Sequence, residues 1–177
     1  YLIPLINKII GKQVTIRKRR DCNGIFLYFE YKDLFNFLKD YISFPIGKKR
    51  NITINNKLLK DWKITKLVFR GLMDTDGCLY FTKNNSHVRY YPILEISSHS
   101  KPLIYQLDYM LKKAGFKPKI RHDEQSIKLH GKYQLEKWVK DIGFSSPYHR
   151  TKYVNWKKDD TYTKGLSSNY DNLIMPG

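Results

Sequence analysis

The run Leu67-Val68-Phe69-Arg70-Gly71-Leu72-Met73-Asp74-Thr75-Asp76-Gly77 ends an apolar stretch in two carboxylates and a glycine. The apolar spacing reads as a helix. Gly71 inside it costs about 1 kcal/mol relative to alanine, so the missing side chain is expected to serve packing. Gly71 and Thr75, four residues apart, form one face with small side chains, where a second backbone can approach closely. Asp76 stands at the helix C-terminus, just before the expected capping glycine Gly77. There the helix dipole disfavours a carboxylate by roughly 0.3 to 1 kcal/mol, a penalty a cation would offset. Two such helices packed through their small faces would bring two carboxylates together at one end, an oxygen donor set for a hard divalent ion. Two plainer roles stand beside this one: a helix end with solvated acids, and a salt-bridged structural acid, which suits Asp74 better than Asp76. A calcium loop starting at Asp74 is excluded, because Cys78 falls at the fifth position, which needs an oxygen ligand, and Asn85 at the twelfth, which needs a bidentate carboxylate.

The elements that must position these acids recur. Residues 1–45 and 99–147 carry the same order of features. Pro4-Leu5-Ile6 and Pro102-Leu103-Ile104 open short helices, which Gly11 and Gly115 end. Alternating residues follow, Val14 and Ile16 against Thr15, Arg17 and Arg19 in one copy, Ile120 against Lys119 and Arg121 in the other. Turn chemistry at 21–24 and 123–125 leads into returning strands over 25–30 and 126–130. An amphipathic helix follows each hairpin, with Leu34, Phe37, Leu38 and Tyr41 in the first and Leu135, Trp138, Val139 and Ile142 in the second. Between the copies lie a helix over 57–76 and a third hairpin over 78–98. The chain thus reads as α+β: a partial helix-hairpin-helix unit over 1–50, a longer unit of helix, hairpin, helix, hairpin and helix over 51–153, and a surface or loosely ordered tail over 154–177.

Charge points to a partner. The 177 residues carry a net charge of +17, self-repulsion that a polyanion would relieve, nucleic acid before an acidic membrane or protein. Aromatic residues at 15% exclude a disordered polymer. Cys22 and Cys78 are too far apart in sequence to read as a disulfide framework or zinc site, and the apolar start is too broken for a membrane span. A soluble, intracellular protein is expected, and the abundance of Lys, Asn, Ile and Tyr with one alanine suggests an organelle or an AT-rich microbial or viral host.

Strands can read DNA, because a two-stranded ribbon enters the major groove and alternate residues face the bases. The outward sets are Gln13, Thr15, Arg17 and Arg19 in the first hairpin; Tyr80, Thr82, Asn84, Arg89, Tyr91, Glu95 and Ser97 in the third; and Lys117, Lys119, Arg121, Lys128 and His130 in the last. The basic runs at 17–20 and 48–50, with His149, Arg150 and Lys152, are expected on phosphates.

The segment Phe69 to Gly77, with the hairpin after it, resembles the LAGLIDADG motif of the homing endonucleases in the form Gly-Leu-x-Asp-Thr-Asp-Gly; Gly47-Lys48-Lys49 and Ile142-Gly143-Phe144 resemble that family's recurring segments. The resemblance covers most of the chain. It implies an αββαββα unit used twice, here complete in the second copy and partial (αββα) in the first, with saddle-shaped antiparallel sheets straddling double-stranded DNA and motif helices packed at the centre through Gly71 and Thr75. It implies cleavage of both strands of a long target, with Mg²⁺, or Mn²⁺ in its place, held by one acid from each motif. Asp76 takes that role here, with the Gly77 carbonyl as a further oxygen. Lys49 and Lys152 are the matching candidates for offsetting charge on the phosphate. One motif is visible, so a second is expected from a missing N-terminal segment, a second polypeptide or a homodimer. The alternative is a non-cleaving relative that serves as an intron RNA maturase or DNA-binding protein.

Overall fold

The computed structural model describes residues 2–11, 13–19, 21–22, 24–43, 51–82 and 90–159. They fall into two compact units, divided along the sequence between residues 47 and 48. Lys49, Asn84, Arg89, the basic run at 48–50 and the tail from 160 onward lie outside the described residues. Among the described residues no helix is long and apolar enough to cross a membrane.

The first unit runs α1 (Leu2–Ile10), β1 (Thr15–Lys18), β2 (Ile25–Tyr28) and α2 (Lys32–Asn36). Gly11 closes α1 at φ +64°, as Gly115 closes its counterpart in the second unit at φ +77°, so this part of the repeat holds in backbone detail. β1 and β2 form a two-stranded antiparallel sheet with Arg17 opposite Phe26. Val14 is buried, but Ile16, expected on the covered face with it, is 53% exposed. The amphipathic helix expected over Leu34 to Tyr41 also differs. α2 is short and passes into a wider π-helical turn, Phe37–Tyr41, closed by Ile42 N donating to Phe37 O at 3.1 Å. Phe37 and Tyr41 stack on each other with centroids 5.2 Å apart and remain half exposed.

The second unit runs α3 (Asn56–Leu59), α4 (Trp62–Asp76), β3 (Gly77–Thr82), β4 (Tyr91–Ser97), α5 (Lys101–Lys113), β5 (Lys119–Ile120), β6 (Ser126–His130), α6 (Lys132–Asp141) and α7 (Pro147–Asp159). The single helix expected over 57–76 is two helices. Asn55 and Asp61 both act as N-caps, their side chains accepting from Lys57 N at 2.9 Å and Lys63 N at 2.8 Å, and each cap starts a new helix. The two hairpins join through β4 and β6 into one antiparallel sheet of order β3-β4-β6-β5. Helices α4, α5 and α6 cover one face. That face supplies Leu79, Leu94, Ile96, Ile127 and Leu129, which pack with Phe69, Met73, Leu107, Leu111 and Trp138 into one core. Burial of each such side chain contributes roughly 1.5–3 kcal/mol.

Helix α7 corrects the expectation of a loose tail from residue 154. It continues to Asp159 and buries Trp156, which stacks on Phe81 at 5.9 Å and donates from Nε1 to Tyr90 O at 3.1 Å. The Trp156 side chain, four positions after Lys152, makes the last turns part of the core rather than a surface extension.

Candidate metal-binding acid and nucleic-acid interface

Helix α4 has two unlike faces. Thr65, Phe69 and Met73, at four-residue spacing, are buried against the sheet. Ile64, Leu67, Gly71 and Thr75 lie on the other side and are exposed, Leu67 at 55%. An added Cβ at Gly71 would meet nothing within 4 Å. Thr75 turns its hydroxyl back to Gly71 O at 3.0 Å and also to Asp76 Oδ2 at 3.2 Å, so the small-residue face is smooth and the acid is held at its foot.

The two acids have separate environments. Asp74 is turned inward: its Oδ2 accepts from Ser145 N at 2.8 Å and its Oδ1 lies 3.5 Å from His149 Nδ1. It therefore ties α4 to the entry of α7, with both oxygens facing protein partners. Asp76 is exposed. Gly77 stands at the C-cap of α4, as expected, but not in the left-handed conformation common to capping glycines. Its φ of −97° is that of an extended strand, so α4 passes into β3 with no intervening loop. The glycine is needed for another reason: a Cβ there would lie 2.5 Å from Met73 O and 2.6 Å from Met73 Cα.

Helix α7 grips the same joint from behind. Lys152 is 7% exposed and donates from Nζ to Leu79 O at 2.9 Å, with the Tyr148 ring centroid 4.0 Å away. The segment carrying Asp76 is thus held on both sides, by Ser145 and His149 at Asp74 and by Lys152 at Leu79. His149 is 4% exposed. Burial pushes its imidazole below the usual 6.5, against the opposing pull of the Asp74 hydrogen bond. The expectation that His149 and Lys152 contact phosphates is corrected, since both are inside the core. Arg150 is exposed but spends Nε on Phe144 O at 2.6 Å.

The uncovered sheet face carries the expected polar residues Tyr80, Thr82, Tyr91, Lys128 and His130, with Lys119 and Arg121 at the β5 end. A connected network runs through them. Tyr80 OH donates to Glu95 Oε2 at 2.9 Å, Lys128 Nζ donates to Tyr80 OH at 3.2 Å and lies 3.3 Å from Glu95 Oε2, and Arg121 Nη1 lies 3.8 Å from Glu95 Oε1. Burial alone would raise the Glu95 carboxyl, yet the polar neighbours Ser126, Tyr80 and Lys128 together hold it below the ordinary range. Arg121 also pairs bidentately with Asp123, which brings that carboxyl down to about 2. Burial, with Lys119 and Lys128 nearby, lowers His130, so it is a neutral imidazole at pH 7. The sequence puts these residues on the outward faces of two separate hairpins and does not show the tie at Glu95. Glu95 and Lys128 are direct partners only because β4 pairs with β6, an adjacency that strand periodicity does not encode.

In the first unit Gln13, Thr15, Arg17 and Arg19 are all exposed. Arg17 stacks over Tyr28 at 4.5 Å, and Arg19 lies over Phe26 at 5.3 Å while pairing with Asp21. A guanidinium resting on an aromatic ring keeps its donors at the surface.

The donor chemistry at Asp76 suits a hard divalent ion: an exposed carboxylate next to a backbone carbonyl. It amounts to part of a site, because among the described residues no three His, Cys, Asp or Glu side chains converge as metal ligands. Residues 64–163 match the family described as LAGLIDADG-like domain. Among solved structures the chain is similar to the I-LtrWI LAGLIDADG homing endonuclease bound to target DNA, at 10% identity and a TM-score of 0.49, covering 88% of this chain and 73% of that one. No curated protein matches the chain.

Proposed function

This chain belongs to the LAGLIDADG-like family, and on that premise we propose that it is a site-specific endonuclease of the homing type, cutting both strands of a long DNA target with a divalent metal ion. The observation that carries the reading is the division of labour between the motif's acids. Asp74 is consumed by Ser145 and His149, while Asp76 stays exposed at the joint between the small-residue face of α4 and the first strand of a polar sheet.

Asp76, with the Gly77 carbonyl beside it, offers oxygen donors to Mg²⁺ or Mn²⁺, whose chemistry when bound is to lower the pKa of water and to offset charge on the scissile phosphate. A second acid would come from another motif helix lying against Ile64, Leu67, Gly71 and Thr75. Further N-terminal sequence, a second polypeptide and a second copy of this chain are its three sources. The outward residues of the sheets would read bases, and the exposed lysines and arginines would contact phosphates. Lys49 is the lysine proposed to offset charge at the phosphate. Lys152 contributes through the backbone at Leu79 that carries the joint.

The test is cleavage of a randomised target library with Mg²⁺ and with chelator, followed by sequencing of the ends. Defined cuts that require the metal and vanish in Asp76→Asn support the proposal. Cuts that persist unchanged in Asp76→Asn overturn it. Binding should weaken by roughly 10³- to 10⁵-fold between about 50 and 200 mM salt if six to ten phosphates are contacted.

A further inference from the structure

One acidic side chain stands amid the cations of the sheet face, and its surroundings define what it does. Glu95 is on the central strand β4, directly opposite Lys128 on β6. Both of its oxygens face partners, Tyr80 and Lys128 at Oε2 and Arg121 at Oε1. A carboxylate so engaged does not reach for a cytosine amino group. Its effect is on the cation it holds. The Lys128 ammonium has three donors; one goes to Tyr80 OH at 3.2 Å and one faces Glu95 at 3.3 Å. The third is left for a ligand on the open face, where the side chain is 24% exposed.

Lysine is ordinarily a poor reader of sequence, because a flexible four-carbon stem lets its charge follow any nearby phosphate. Here the stem is fixed at its tip. The network crosses all four strands, from Tyr80 on β3 through Glu95 and Lys128 to Arg121 beyond β5. At about 4.8 Å per strand its span is roughly 14 Å, close to the major-groove width of about 12 Å. With the rung laid across a major groove, a donor in its middle would face the floor of the groove rather than its phosphate walls.

Resting on the reading of the chain as a site-specific DNA-binding protein, we propose that Lys128 is a specificity-determining residue that reads a guanine O6 or N7 acceptor, and that Glu95 is the positioning residue that makes it selective.

Sequencing the DNA bound from a randomised library, in chelator so that cleavage plays no part, tests this with wild type, Glu95→Gln, Lys128→Met and Tyr80→Phe. Wild type should prefer guanine at one base-pair position by roughly five- to tenfold, the low end expected for a single side-chain donor. Lys128→Met should lose that preference and bind more weakly. Glu95→Gln, nearly isosteric, should lose it while overall affinity holds or rises, since a negative charge has left the interface. Tyr80→Phe removes one hydroxyl and should blunt preference at the same position. A selective wild-type profile that Glu95→Gln and Lys128→Met leave unaltered, or that Glu95→Gln only tightens uniformly over all sequences, overturns the inference and leaves the proposed function standing. A wild type with no sequence preference overturns both.

Discussion

The two helix-hairpin-helix copies share an order of elements and differ in what covers them. In the second copy α5 and α6 bury Leu103, Ile104, Leu107, Leu111 and Trp138 under a four-stranded sheet. In the first, the hairpin has two strands, and Phe26, Tyr28, Phe35, Phe37 and Tyr41 are each exposed by 43% or more. A two-stranded hairpin is marginal alone, whereas three or more strands with a packed face stand independently. The second copy gains its stability from what is built in front of it: helix α4 and the hairpin β3–β4, the same elements that carry Asp76. The scaffold of the candidate site and the core of the unit are therefore one object.

The sharpest break of this comparison is truncation. Trp138→Ala should cost about 3–5 kcal/mol by denaturant unfolding, while Phe37→Ala, at 48% exposure, should stay within about 0.5 kcal/mol. Equal losses would mean that the first copy has a core of its own. Next comes the joint. Gly77→Ala must push against Met73 backbone atoms and should cost on the order of 1–3 kcal/mol, seen as a lowered unfolding midpoint. Gly71→Ala goes the other way: with open space around it, alanine should stabilise the isolated chain by up to about 1 kcal/mol through helix propensity, and should impair any assembly that packs another helix on that face. Thermal unfolding and sedimentation separate the two effects.

The smallest effect is of pH. All five histidines lie after residue 86, so between pH 7.5 and 5.5 protonation of histidine should act on the second unit. Burial lowers His149 and His130 in the folded state below the 6.5 of the unfolded chain. Their contribution is fully present above pH 6.5 and is lost as pH falls from 6.5 through the depressed values, because the unfolded chain then binds more protons. Denaturant midpoints at pH 7.5 and 5.5 should differ in wild type and differ less in His149→Gln. A midpoint that does not move over this range would mean that His149 takes up its proton as readily in the fold as in the unfolded chain.

Much of this was legible in the residues. Pro102, Gly11 and Gly115 mark helix ends that the structure keeps, and the alternation through Leu79, Phe81, Leu94 and Ile96 identifies the covered face of the third hairpin. The acidic helix end was legible too, because Gly71 and Thr75 share a face at four-residue spacing and Asp76 directly precedes the glycine at which the helix ends. What escaped depends on neighbours distant in sequence. Asp74 finds Ser145, Lys152 finds Leu79, and Trp156 finds Phe81 and Tyr90 only after the sheet is assembled. The break before α4 was readable from Asp61 as an N-cap, but apolar periodicity runs through it and hides it. Gly77 was assigned the right place for the wrong cause, since crowding and not backbone torsion excludes a side chain there.

The loopless passage from α4 into β3 has a mechanical corollary. With no slack between them, a one-residue slip of the helix turns Asp76 by about 100° and also flips every residue of the strand to the opposite side of the sheet. On the proposed function, the placement of the scissors and the alphabet of the reader are inherited as a single casting. Retargeting should therefore succeed by exchanging side chains at fixed register, and insertions or deletions at this seam should be lost together with both properties.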